Sequence, residues 1–205
     1  MEQVTKNLNK IITIMVRILI IVIALFLISQ KEFKNLGILA ITMLLTFYDK
    51  IVEKVLKIKL EDKLKISLII FIFAAQCLGT VLGFYGKFLW WDTMLHTISG
   101  VIFFFVGEAI IKQMSNGKVE GKLNNKITVA FAVCFSLSTG VIWEVFEFFV
   151  DSLLGQNMQV TKGLIGQEAV MDTMIDLISV TVGTISISIV EILKNKNGSL
   201  ENKVK

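Results

Sequence analysis

The sequence contains no proline, one histidine and two cysteines. Without proline, no helix is broken by a pyrrolidine ring. One histidine excludes the paired Glu-x-x-His motifs from which ferritin-like di-metal centres are built. Cys77 and Cys134 lie far apart, each in the middle of an apolar run, without metal-ligand spacing. Both read as small packing residues rather than disulfide partners. No low-complexity linker divides the chain, which reads as a single membrane domain over residues 1–205.

What is plentiful is hydrophobicity. Apolar residues make up 54% of the 205, with a mean hydropathy of +0.73. Long runs such as Ile66–Leu82, Ile127–Val141 and Leu177–Val190 hold almost no charge. Crossing the hydrocarbon core takes about 20 mostly apolar residues. The runs do not alternate polar with apolar, which excludes a β-barrel. The fold class is therefore all-α, a polytopic transmembrane bundle of about six spans: 11–29, 33–50, 66–85, 90–111, 127–150 and 170–193. The second is short and runs into Asp49 and Lys50. The 51–65 stretch reads as a cytoplasmic amphipathic helix, lying on the bilayer or extending the second span. Arg17, about one turn inside the first span, is placed to snorkel to the headgroups. The first span ends in "ISQKEF" with no small-residue cleavage site, and reads as a retained anchor.

With six spans, 17 of the 21 Lys and Arg residues fall on one side. Basic loops stay in the cytoplasm. Both termini are expected inside the cell membrane, with the 83–91 and 152–169 loops outside. If the second segment does not cross, only the N-terminus changes side. The net charge of +4 says little about nucleic acid; the expected partners are membrane lipids, with no nucleic acid. A basic protein partner is a further reading.

Against this apolar background stands "GVIWEVFEFFVD", Gly140–Asp151, with three acids. Glu144, Glu147 and Asp151 are spaced 3 and 4 apart and share one helical stripe. Asp92 and His96 are spaced 4 apart, as are Asp172 and Asp176. These stripes continue with small or polar residues: Ser99 and Gly100; Gly140 and Ser136; Ser179, Gly183 and Ser186. Gln76, Thr80 and Gly83 extend the pattern to the third span. Such residues let helices approach closely and hydrogen-bond, so four spans are expected to turn these stripes together. Trp90 and Trp91 mark the outer interface. Asp92, Asp151 and Asp172 then lie at the rim, His96, Glu147 and Asp176 about one turn deeper, and Glu144 deepest.

No Lys or Arg lies in these stripes. Clustered, desolvated acids take up protons unless a cation arrives. Oxygen ligands with one imidazole suit Mg²⁺, Mn²⁺, Fe²⁺ or Zn²⁺. The expected metal ligands are Asp92, His96, Glu144, Glu147, Asp151, Asp172 and Asp176, with His96 and Glu147 as catalytic candidates. The bland alternative makes the rim acids solvated interfacial residues and Glu144 a protonated packing residue. In the outward loop, Gln159 and Gln167 are candidates for holding a substrate headgroup.

"DTMLHTIS" from Asp92 matches "DTMIDLIS" from Asp172 at five of eight positions. Both open an outside-to-inside span, so spans 3–4 and 5–6 read as a parallel repeat. Together, "WDTMLH", "WEVFEFFVD", the Gly/Gln loop and "DTMIDL" resemble the YjdF-like family of predicted bacterial integral membrane proteins, over residues 66–193. The resemblance implies a small multi-pass protein with these acids as its signature. Three functions remain open: a membrane-embedded metalloenzyme acting on a lipid-like substrate, a proton or divalent-cation transporter, and a structural subunit.

Overall fold

The computed structural model describes residues 2–115, 124–159 and 163–204. Lys118, Lys122, Lys162 and Lys205, which enter the charge count, lie outside the described residues. Among those described there is no strand. The helices are α1 Glu2–Ser29, α2 Leu36–Leu45, α3 Tyr48–Leu56, α4 Asp62–Ile72, α5 Phe84–Lys87, α6 Trp91–Ser115, α7 Asn125–Leu154 and α8 Met171–Val204. α4 continues as a π-helix over Phe73–Val81. Its i→i−5 pattern shows in Leu82 N donating to Cys77 O at 2.9 Å.

Among the described residues, five helices are long and apolar enough to cross a membrane: α1, α4 with its π extension, α6, α7 and the Met171–Lys194 part of α8. Their faces are inverted relative to a water-soluble bundle. On α7 the buried stripe is Thr128, Ala132, Ser136, Gly140, Glu144 and Glu147, while Ile142, Phe146, Phe148 and Phe149 are exposed. A polar stripe inside and an apolar surface outside match lipid as the solvent.

By internal packing the chain forms two compact units, Met1–Asp92 and Thr93–Lys205. In the first, Val16, Ile20 and Leu27 of α1 pack with Leu39 of α2, Ile69 of α4 and Cys77 and Val81 of the π segment. The expected second span resolves into α2, only ten residues long, and α3. Yet its ends are tied to opposite ends of α4 and its extension: Asn35 Nδ2 donates to Val81 O at 3.5 Å, and Tyr48 Oη to Lys65 O at 2.7 Å. The 35–48 segment thus runs back along the length of its neighbour.

Three sequence expectations change here. Arg17 does not snorkel. It donates to Thr46 Oγ1 (2.9 Å) and Thr46 O (3.0 Å) and lies 3.9 Å from the centre of the Phe47 ring. A helix break frees carbonyls that lipid cannot satisfy, and the guanidinium answers one of them between α2 and α3. The 51–65 stretch is not one helix: α3 ends at Leu56, Lys57 after it takes the left-handed region at φ 55, and Ile58 and Leu60 are buried before α4 begins. On the π segment it is Cys77, Gly79 and Val81 that are buried; Thr80 is exposed and Gly83 lies past the end. The π turns change the helical period, which rotates that stripe away from its α-helical position.

The second unit is α6, α7 and α8. Phe104, Val129 and Ala132 form one buried cluster. Nearer the start of α6, a Cβ added to Gly100 would strike Val180 O, and one on Gly183 would strike Thr97 O. Only glycine permits so close an approach of α6 to α8. Ser136 Oγ from α7 donates to Gly100 O at 2.8 Å and pairs with Thr184 Oγ1 at 2.8 Å, so three helices share one polar knot.

Candidate cation site

α6 and α8 each begin with an acid in the second position, Asp92 and Asp172. The next inward turn of each carries the matched residues His96 and Asp176. Their backbones are drawn together by the glycine contacts of Gly100 and Gly183, one to two turns further on. His96 Nε2 stands 3.8 Å from Asp176 Oδ2. Both residues are buried, at 8% and 2% exposure. Asp92, one turn before His96 on the same helix, completes the group: one ligand atom from each of the three lies within 4.8 Å of the others. Around a cation with bonds of about 2.1 Å, neighbouring ligand atoms sit about 3–3.5 Å apart. A small side-chain adjustment would bring the three to that spacing. Three protein ligands leave open positions for water or substrate.

The other expected ligands fall outside this grouping. Glu144 and Glu147 are buried on α7, at 5% and 7%. Glu147 Oε1 accepts from the Trp143 indole N–H at 2.7 Å. Asp151, about one turn later, receives the loop: its Oδ1 accepts from Met158 N at 2.7 Å and its Oδ2 from Gln159 N at 3.0 Å. Gln159 Nε2 in turn donates to Thr173 Oγ1 at 2.8 Å. Asp151 and Gln159 therefore strap the chain that follows α7 to the end of α7 and the start of α8. Gln167 is exposed, before the 3₁₀ turn Glu168–Val170. Asp172 is half-buried.

On α8, Ser179 and Gly183 are buried as the spacing predicts, while Ser186 is exposed. Thr184 and Ser188 are buried instead. The four-residue step Val180–Thr184–Ser188 carried that signal. Trp143 gave none: an indole on an apolar face looks like a lipid anchor until its N–H is seen to reach a carboxylate.

Long helices with buried polar stripes and apolar outer faces define a polytopic α-helical membrane protein. The chain belongs to the family described as predicted membrane protein (DUF2238), which matches residues 11–197. It is similar to an uncharacterized protein of Thermotoga maritima, 29% identical over 133 residues, 64% of this chain and 63% of that relative. The chain thus spans less than two thirds of that relative's length. No solved structure matches it.

Proposed function

We propose that this protein holds a divalent cation at Asp92, His96 and Asp176, at the outward end of a helical bundle in the cell membrane. An ion held there would supply Lewis-acid chemistry, the polarising of an oxygen on a lipid-like substrate and a more acidic bound water. The observation that carries the proposal is the convergence of these three ligand atoms within 4.8 Å, two of the residues being buried. A buried imidazole beside two carboxylates, with no Lys or Arg in the stripes, matches a site completed by a metal ion. Glu147 serves as general base, its carboxylate oriented by Trp143. Glu144 and Asp172 add negative potential that draws the cation in.

The metalloenzyme reading is preferred to transport because of the knot at Ser136, Gly100 and Thr184. A translocated ion needs a wet path, and here three helices meet in direct hydrogen bonds with glycine-close backbones. In this reading the 35–48 segment is a short second crossing, both termini are cytoplasmic, and α6–α8 follow as the outward-opening site. Gln159 and Gln167 frame the substrate's approach, and the pseudo-repeat of α6 and α8 supplies matched ligands. The YjdF-like resemblance rests on the same acids.

The test is elemental analysis of protein purified in lipid nanodiscs and supplied with Mn²⁺ or Zn²⁺. About one ion per chain is expected, lost in His96→Ala and Asp176→Ala. Metal-free wild-type protein under those conditions sinks the proposal.

A further inference from the structure

Trp91 opens α6, one residue before Asp92. Its side chain is enclosed, 9% exposed, and its ring packs edge-on to Phe84 with centroids 4.9 Å apart. Among the described residues its indole Nε1 has no hydrogen-bond acceptor, although the atom is buried. An enclosed donor without an acceptor costs about 1–3 kcal/mol, and buried indole N–H groups are normally paired. Trp143 shows the usual outcome in this same chain.

We propose, building on the cation site above, that the Trp91 N–H is the second contact to the substrate, and that the oxygen it meets belongs to an uncharged acyl ester carbonyl of a lipid. The first argument is position. The indole belongs to the residue that precedes a cation ligand, so both stand in the first turn of α6, at the same end of the helix. The second is the setting. Phe84, Phe88, Trp90 and Trp91 form a run of neighbouring rings with centroids 4.9–5.8 Å apart, and Leu89 and Trp90 are 95% and 56% exposed. Such aromatic belts sit at the lipid–water boundary, the depth of ester carbonyls in a bilayer. The third is charge. Asp92 and Asp176 already balance a divalent ion, further acids lie in the same stripes, and no Lys or Arg is present in them. A phosphate monoester would be repelled, whereas a neutral carbonyl bears no such cost.

Dioctanoylglycerol and its dioctyl ether analogue differ in the presence of the carbonyls and separate these terms. Binding is measured to Mn²⁺-loaded protein in phosphatidylcholine nanodiscs, with bound Mn²⁺ counted in parallel. Wild-type protein should prefer the ester, and Trp91→Phe should narrow that preference about fivefold, the value of one neutral hydrogen bond. Bound Mn²⁺ stays unchanged, which also shows that the variant folds. Trp91→Tyr, which returns a ring-borne donor, should recover part of the preference, and Trp90→Phe should leave it intact. An ester preference equal in Trp91→Phe and wild type overturns the inference while leaving the cation site standing. Tighter binding of dioctanoyl phosphatidic acid than of dioctanoylglycerol overturns it too. Wild-type protein that takes up no Mn²⁺ overturns the cation site and, with it, this inference.

Discussion

His96 and Asp176 hold the fifth positions of two matched strings, Asp92–Ser99 and Asp172–Ser179, and meet at 3.8 Å. The two helices thus supply chemically different ligands from equivalent places. If the pair is a ligand pair, its two halves are exchangeable. His96→Asp alone, which shortens the reach and sets a third carboxylate against the other two, should lower Mn²⁺ affinity about 10-fold. The swap His96→Asp with Asp176→His should recover most of it. Calorimetric titration of the nanodisc protein decides this; a swap no better than the single variant removes the pair from the site.

Arg17 holds the break between α2 and α3 by two hydrogen bonds and a cation–π contact. Arg17→Ala should destabilise the protein by about 2–3 kcal/mol. Arg17→Lys should rescue little, because the planar fork reaching both Thr46 oxygens is lost. Hydrogen exchange at the amides of residues 46–51 should quicken in both. Unchanged exchange there means that the break holds without the guanidinium.

Two glycines make opposite predictions. At Gly183 an added methyl would overlap Thr97 O, a backbone atom with nowhere to go; at Gly37 nothing lies within 4 Å. Gly183→Ala should cost about 2 kcal/mol or more through overpacking, and should lower cation affinity by parting α6 from α8. Gly37→Ala, inside α2, should be neutral or stabilising by up to about 1 kcal/mol. Thermal unfolding in detergent ranks them; equal midpoints would refute the close-packed crossing.

Asp151 and Gln159 bind the loop between α7 and α8 to its flanking helices. Asp151→Ala should leave the Met158 and Gln159 amides unpaired, at about 1–3 kcal/mol each for local opening. Protection of those two amides from exchange should fall, while bound metal stays at the wild-type level. Loss of metal together with protection would instead make Asp151 a ligand.

The fold's broad outline was legible because lipid imposes a simple rule: long apolar runs become helices, and polar stripes turn inward. The spacing of Ser136, Gly140, Glu144 and Glu147 predicts the buried face of α7 for that reason. Two kinds of feature were hidden. One is a change of helical period. The π turns of Phe73–Val81 carry no proline or glycine pair to announce them, and they move Thr80 to the surface. The other is a partner distant in sequence. Arg17 reads as a snorkelling cation because Thr46, its acceptor 29 residues away, becomes available only where α2 stops. At the candidate site the spacing marked the residues, but it could not say that Asp92, His96 and Asp176 would gather while Asp151 turned to loop amides.

The π segment has a last implication. Each of its turns holds one residue more than an α-turn would, so its register depends on a residue surplus to α-helical need. Deleting Leu78 alone would change both the rise and the turn of this stretch and so re-aim what lies beyond it. Cys77 and Val81 could then no longer both face Leu39, and the Tyr85 ring would lose its seat over Gly79. In this stretch, shortening the chain by one position should therefore be more damaging than replacing any one of its exposed side chains.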